Sequence, residues 1–209
     1  MSEQRKPRRP AMLDPRLAEE SPGDMDPALR SEIAHETAGA LVARARKTAS
    51  DDPELVDRLL RLVEREGIEI VADMWSSSPA DTLPGALWRL YLLREWARND
   101  PQMADRYRLG AARAEVDEVV AGAAPAPGPA ELRTLADQVL SGVFTGELDV
   151  ALNRAASFSR ILAVGAALDA DLMDSAADAT LATRRAATMI ATADDLERAA
   201  RRWRLGLLD

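Results

Sequence analysis

The dipeptide Asp-Pro occurs four times, at Asp14-Pro15, Asp26-Pro27, Asp52-Pro53 and Asp100-Pro101, and the last three each precede a run of strong helix formers. Aspartate at an N-cap accepts a bond from an amide that lacks an intrahelical partner. Proline at the first helical position has no amide to leave orphaned, and its φ is already helical. The chain thus marks its own helix starts, and an all-α, multi-helix bundle of about eight helices with a disordered N-terminal tail is expected.

Residues 1–25 are proline-rich, charged and poor in large apolar groups, so no packed core is expected of them. A first helix is predicted from Asp26 to about Thr48, with Leu29, Ile33, Ala40 and Leu41 as its apolar stripe. A second runs from Asp52-Pro53 to Gly67, where glycine suits the C′ position. Leu55, Leu59, Leu62 and Val63 give it a helical period. A short helix covers Ile68 to Trp75, and Ser76-Ser77-Ser78-Pro79 breaks it. Pro84-Gly85 delays or caps the next, which reaches about Asn99, and Asp100-Pro101 opens another that ends near Gly122. The stretch 123–129, Ala-Ala-Pro-Ala-Pro-Gly-Pro, cannot continue as helix. It is either a linker between a lobe at 26–122 and a lobe at 130–209, or a stiff loop inside one domain. Further helices are expected near 130–141, 146–168, 170–191 and 193–205, the last pair divided by a capping-box-like Thr192 and Asp195.

Composition narrows the function classes. The chain has no cysteine and one histidine, His35, and its net charge is −8. Disulfide and thiolate chemistry are therefore absent, and a reducing cytoplasm fits. None of the segments 1–26, 27–122 and 123–209 is net basic, which disfavours nonspecific binding to nucleic acid or anionic membrane. The basic start (Arg5, Lys6, Arg8, Arg9) is not followed by the apolar core of a signal peptide, and no apolar run approaches the roughly 20 residues that span a bilayer. The 27 basic residues include only two lysines, Lys6 and Lys47. Such a bias fits a GC-rich bacterial genome, and it fills the surface with forked guanidinium groups.

The predicted helix from Leu83 to Asn99 is apolar almost all the way round, as a buried central helix is. Leu83, Leu87, Leu90 and Tyr91 occupy one side, Ala86, Leu93, Trp96 and Ala97 another. Arg89 falls inside an apolar arc. It is either a salt-bridged arginine packed on tryptophan or a guanidinium held ready for a partner's carboxylate or phosphate. Of the four Trp, two Tyr and two Phe in the chain, three Trp and both Tyr lie between 75 and 107. Trp, Tyr and Arg dominate interface hot spots, so a protein-contact surface is expected over 75–113, carried by Trp75, Trp88, Arg89, Arg94, Arg98, Arg106 and Arg108.

Other signals are weaker. Residues 68–98 have the layout of a helix-turn-helix, yet the second helix leads with Pro79, Ala80, Asp81, Thr82, Leu83 and Pro84, which offer little to phosphate or base edges. Asp171, Asp174 and Asp178 share a helical side but lack histidine partners, and solvated surface is the better account. The helix near 146–168 shows two apolar faces, one with Leu148, Leu152, Ala155 and Leu162, the other with Phe158, Ile161, Gly165 and Leu168. One neighbour is the following helix; the other is the N-terminal lobe or a second subunit. In the last helix Leu196, Ala199, Ala200, Trp203 and Leu207 form the stripe. No catalytic constellation, cofactor motif or metal set stands out. The expectation is a non-catalytic cytoplasmic interaction or regulatory protein, in a homo-oligomer, with an unidentified protein partner. A divergent helix-turn-helix DNA-binding regulator is the alternative, and an enzyme or ligand sensor the third reading.

Overall fold

In the computed structural model, the described residues are 25–46, 54, 58, 61–63, 65, 67–113, 126–144 and 146–209. Every regular element among them is helical. We label the helices α1 (Pro27–Arg46), α2 (Glu69–Trp75), α3 (Leu83–Asn99), α4 (Met103–Ala111), α5 (Pro129–Leu140), α6 (Leu148–Ala170) and α7 (Ala176–Arg204). Helical residues also occur at 61–63. The tail at 1–24, the Asp52-Pro53 start and the stretch 114–125 fall outside the described residues.

The helix boundaries follow local chemistry. Asp26 caps α1 by accepting from the Ala28 amide at 2.9 Å, and Pro27 is its first residue. Gly67 takes φ 94° and its amide donates to Val63, closing the preceding helix in the left-handed region that glycine enters freely. Asp100 accepts from the Gln102 amide at 2.9 Å, but the Asp-Pro pair forms a turn and α4 itself begins at Met103. Thr82 caps α3 through the Gly85 amide, with Pro84 in the first turn. At α5 the Glu131 carboxylate reaches back to the Gly128 amide at 3.1 Å, which is half of a capping box because glycine has no side chain to return the bond.

Four expectations need correction. The helix expected to run from Asp100-Pro101 to near Gly122 ends at Ala111, and residues 112–113 form a turn. The two helices predicted at 170–191 and 193–205 are one 29-residue helix, α7, starting from an N-cap at Ser175. The Thr192 hydroxyl donates to the Thr188 carbonyl inside that helix, and the Asp195 carboxylate turns to Arg89 on α3. Backbone amides already bonded to the preceding turn leave a capping sequence nothing to cap. In α1 the expected Ala40 and Leu41 are buried, together with Ala34, Thr37, Ala38 and Val42, while Leu29 is 48% exposed. The reason is Trp75: its indole N–H donates to the Thr37 hydroxyl at 3.0 Å inside the core, which fixes how α1 is rotated. At the C-terminus Leu207 is exposed and Leu208 is buried instead, because the chain leaves the helix at Leu205 and turns through Gly206.

α3 contacts α1, α2, α5, α6 and α7. It contributes Leu83, Ala86, Leu87, Leu90 and Leu93 to a buried cluster that also takes residues from α1, α2, α5, α6 and α7. Helices before and after the Ala/Pro stretch therefore share one apolar interior. α6 and α7 pair as a hairpin, bound by Arg160, which bridges Asp194 at 2.8 Å and also Glu197. The hydrogen bond from Arg160 holds the Glu197 carboxyl below its usual range, against the opposing effect of burial. A lowered carboxyl pKa stabilises the fold above the unfolded-state value, and that contribution fades as pH falls through the folded one.

The second face of α6 meets α4. Tyr107 stacks on Phe158 with ring centroids 5.3 Å apart. The crossing depends on two glycines. A Cβ on Gly165 would lie 1.8 Å from the Arg106 carbonyl oxygen, and one on Gly110 would lie 1.9 Å from that of Ile161. Neither backbone can yield without separating the helices. Gly39 in α1, by contrast, has nothing within 4 Å of its Cβ position. Gly39→Ala should therefore stabilise the protein by about 0.5–1 kcal/mol through helix propensity. Gly165→Ala should destabilise it by about 2–3 kcal/mol despite the same propensity gain. Urea unfolding of the two variants measures both signs, and equal effects would show that the α4–α6 approach is looser than described.

Candidate interaction surface

The seven residues expected to form a contact surface separate into three environments. Trp75 has no exposed area and is enclosed by the core with its N–H satisfied by Thr37. It is a packing residue, with no side-chain surface to offer a partner.

Arg89, Arg94 and Arg106 are held by carboxylates on other helices or their ends. Arg89 donates from Nε to Asp195 Oδ2 on α7 at 2.7 Å, and from Nη1 to the Gly85 carbonyl at 2.9 Å. Arg94 bonds Asp137 on α5 and Glu95 on its own helix. Burial works to lower the Arg94 pKa, but the bond and charge of Asp137, with Glu95 and Glu69, outweigh it and raise the value. Arg106 donates to Asp169 near the end of α6 at 3.0 Å, to Asp100 at 2.7 Å and to the Gln102 amide oxygen. Guanidinium groups with two or three satisfied donors act as ties between elements. For Arg89, the salt-bridged alternative is the one the structure adopts.

Trp88, Arg98 and Arg108 remain at the surface. Trp88 is half-buried and stacks on Tyr91, ring centroids 5.5 Å apart and planes 23° from parallel. Each ring packs on the core with one side and shows the remainder outward. Burial raises the Tyr91 pKa, assisted by the Glu95 and Glu69 carboxylates, so its hydroxyl stays protonated and able to donate. Arg98 keeps 56% of its side chain exposed and has only a 3.9 Å approach to Glu95. Arg108 pairs with Asp105 one turn earlier, and both are largely exposed. The resulting outer face of α3 carries Trp88, Tyr91, Leu92, Glu95 and Arg98. It combines half-buried aromatic rings with an incompletely paired cation.

Two depressions border this face. One, of about 310 Å³, lies between α3 and α5 and is lined by Arg94, Arg98, Arg133, Thr134 and Asp137. The other, of about 370 Å³, lies at the end of α3, with Trp96, Asp100, Gln102 and Arg106 in its wall and Arg185 reaching in from α7. The sequence pointed to Tyr91 only as one of the aromatics of 75–113, and gave no reason to single out Leu92, Arg133 or Asp137. The i, i+4 spacing of Arg133 and Asp137 on α5 was visible, but not that they face Arg94 and Arg98. Among the described residues, no group of three or more His, Cys, Asp or Glu is arranged to hold a metal ion. Asp171 and Asp174 lie in the turn before α7, and the Asp178 amide is bonded by the Ser175 cap. No described helix is long and apolar enough to cross a membrane.

Comparison with known proteins gives no match: no family model, no curated protein and no solved structure is significantly similar to this chain.

If Arg89 ties α3 to α7, its removal should appear in stability. Arg89→Ala and Asp195→Ala should each destabilise by about 1–3 kcal/mol, between the values for exposed and fully buried pairs. The double variant should lose about 1 kcal/mol less than the sum of the two. Denaturant titration of the four proteins measures this coupling; strictly additive losses would mean the contact contributes nothing as a pair.

Proposed function

We infer that the protein is a non-catalytic interaction or regulatory protein of the cytoplasm that binds a protein partner through the outer face of α3. The observation that carries this reading is the stacked Trp88–Tyr91 pair, partly buried on a helix whose other sides are enclosed by the core. Such rings present apolar area with little rotamer entropy left to lose, because packing already orients them. Leu92 and Arg98 extend the patch along the same helix. Self-association belongs to this reading as well, supported by the exposed apolar side chains Leu172, Leu181 and Ile190 on α7 and the turn before it.

The helix-turn-helix alternative draws no support from the placement of α3. Its first five residues, Leu83 to Leu87, are buried, and the Leu83 amide donates to the Asp209 carbonyl at 2.6 Å. The end that would enter a major groove is packed in the core and bonded to Asp209. The third reading, an enzyme or ligand sensor, would need a concave site with convergent polar groups; the depression beside Trp96 is open, and its Arg106 is already held by three internal partners.

Quantitative affinity capture with crosslinking tests the proposal. Trp88→Ala should reduce recovery of the specific partner about 30-fold or more, the loss of a hot-spot aromatic, with helicity unchanged. Arg108→Ala should leave recovery as it is. Full recovery with Trp88→Ala would place the contact elsewhere.

A further inference from the structure

The groove between α3 and α5 holds a charge mismatch that the fold does not resolve. Arg94 on α3 stands opposite Asp137 on α5 and bonds it. One turn further along α3 is Arg98; one turn back along α5 is Arg133; and both line the same groove. The rung next to a matched ion pair therefore sets cation beside cation. Arg98 approaches Glu95 only at 3.9 Å, beyond hydrogen-bond reach, while the two Glu95 oxygens accept from Arg94 and from the Asn99 amide. Arg133 is exposed and makes no hydrogen bond or ion pair among the described residues. Thr134 spends its hydroxyl proton on the Ala130 carbonyl, so an anion in the groove would be held by the arginines alone. Like charges on neighbouring helices raise the energy of the free protein, and a third group carrying negative charge removes that penalty.

The geometry points to this groove as a carboxylate-binding site, in which Arg98 and Arg133 grip an acidic side chain of the protein partner. Two guanidinium forks facing one space match the paired oxygens of a carboxylate. The groove is open, and its net charge, counting Glu95 and Asp137 against three arginines, is only about +1. It therefore retains a single small ion only weakly, and a chain carrying several acids more firmly. An acid delivered by a chain already resting on α3 arrives at high effective concentration. Tyr91 and Arg98 are seven residues apart, about 10 Å along the helix. The partner segment is accordingly one that carries an apolar anchor and an Asp or Glu about 10 Å away, the spacing of i and i+7 on a helix. The assignment rests on the protein-contact reading of α3, but the two fail separately, because one is read at Trp88 and the other at the arginines.

The test is NMR of the arginine Nε–H groups of the full chain at fixed ionic strength, titrated with N-acetyl hexaglutamate amide and, in a parallel arm, with inorganic phosphate. The site requires saturable shifts of Arg98 and Arg133 with hexaglutamate while the paired, exposed Arg108 stays still. Arg133→Gln should weaken that binding about fivefold, the effect of one partly exposed ion pair. Trp88→Ala should leave it unchanged, since this probe has no apolar anchor. Arg133→Glu should abolish it and raise the unfolding midpoint of the free protein by matching the rung to Arg98. Shifts spread evenly over all exposed arginines, or none at all, overturn the site. Saturation by phosphate alone overturns the assignment to an acidic side chain.

Discussion

A guanidinium on a helix enclosed on most sides is met by a carboxylate of a neighbouring helix, and α3 carries two that are. Arg89 meets Asp195 on α7, and Arg94 meets Asp137 on α5. Those pairs fix the rotation and axial position of α3 against two helices that lie far from it in sequence. The apolar contacts of Leu87, Leu90 and Leu93 supply most of the favourable burial, but apolar contacts tolerate sliding and ion pairs with short bonds do not. Once α3 is set, its remaining face is decided too. Trp88, Tyr91 and Arg98 are what the core and the internal carboxylates leave over, and the contact surface we propose is that remainder.

α6 shows the same logic in apolar form. One side pairs with α7, and the other receives α4 at a crossing so close that two glycines are required. With few aromatic residues, the chain builds its interior from alanine, leucine and glycine. Of these, Ala151, Ala155, Ala156 and Ala163 in α6 are all buried. Small side chains bring helices near one another, and close helices place arginines within reach of carboxylates on the facing helix. Packing and electrostatics are linked through side-chain size.

The local grammar of the chain was readable. Asp26, Gly67 and the proline-glycine stretch before α5 mark boundaries the structure keeps, because a cap is decided within a few residues of itself. The buried course of the helix from Leu83 followed from its all-round apolar pattern. Legibility stopped where the deciding partner lay far away in sequence. Arg89 had two readings until Asp195, 106 positions later, appeared beside it. Trp75 resembled a surface hot spot because its hydrogen-bond acceptor, Thr37, sits on another helix. The Thr192–Asp195 signal was sound chemistry for a helix start but fell inside a continuing helix, where every amide already had a partner. Arg133 was invisible as a site residue for the same reason: its meaning depends on Arg98 standing opposite.

The central claim is that α3 is the shared strut of helices on both sides of the Ala/Pro stretch. Native-state hydrogen exchange over a denaturant series tests it most directly. The amides of Leu87 to Leu93 in α3 and of Ala155 to Leu162 in α6 should exchange with one common free energy and one common denaturant slope, those of global unfolding. Exchange of the α3 amides through a separate, lower-energy opening while α6 stays protected would contradict it.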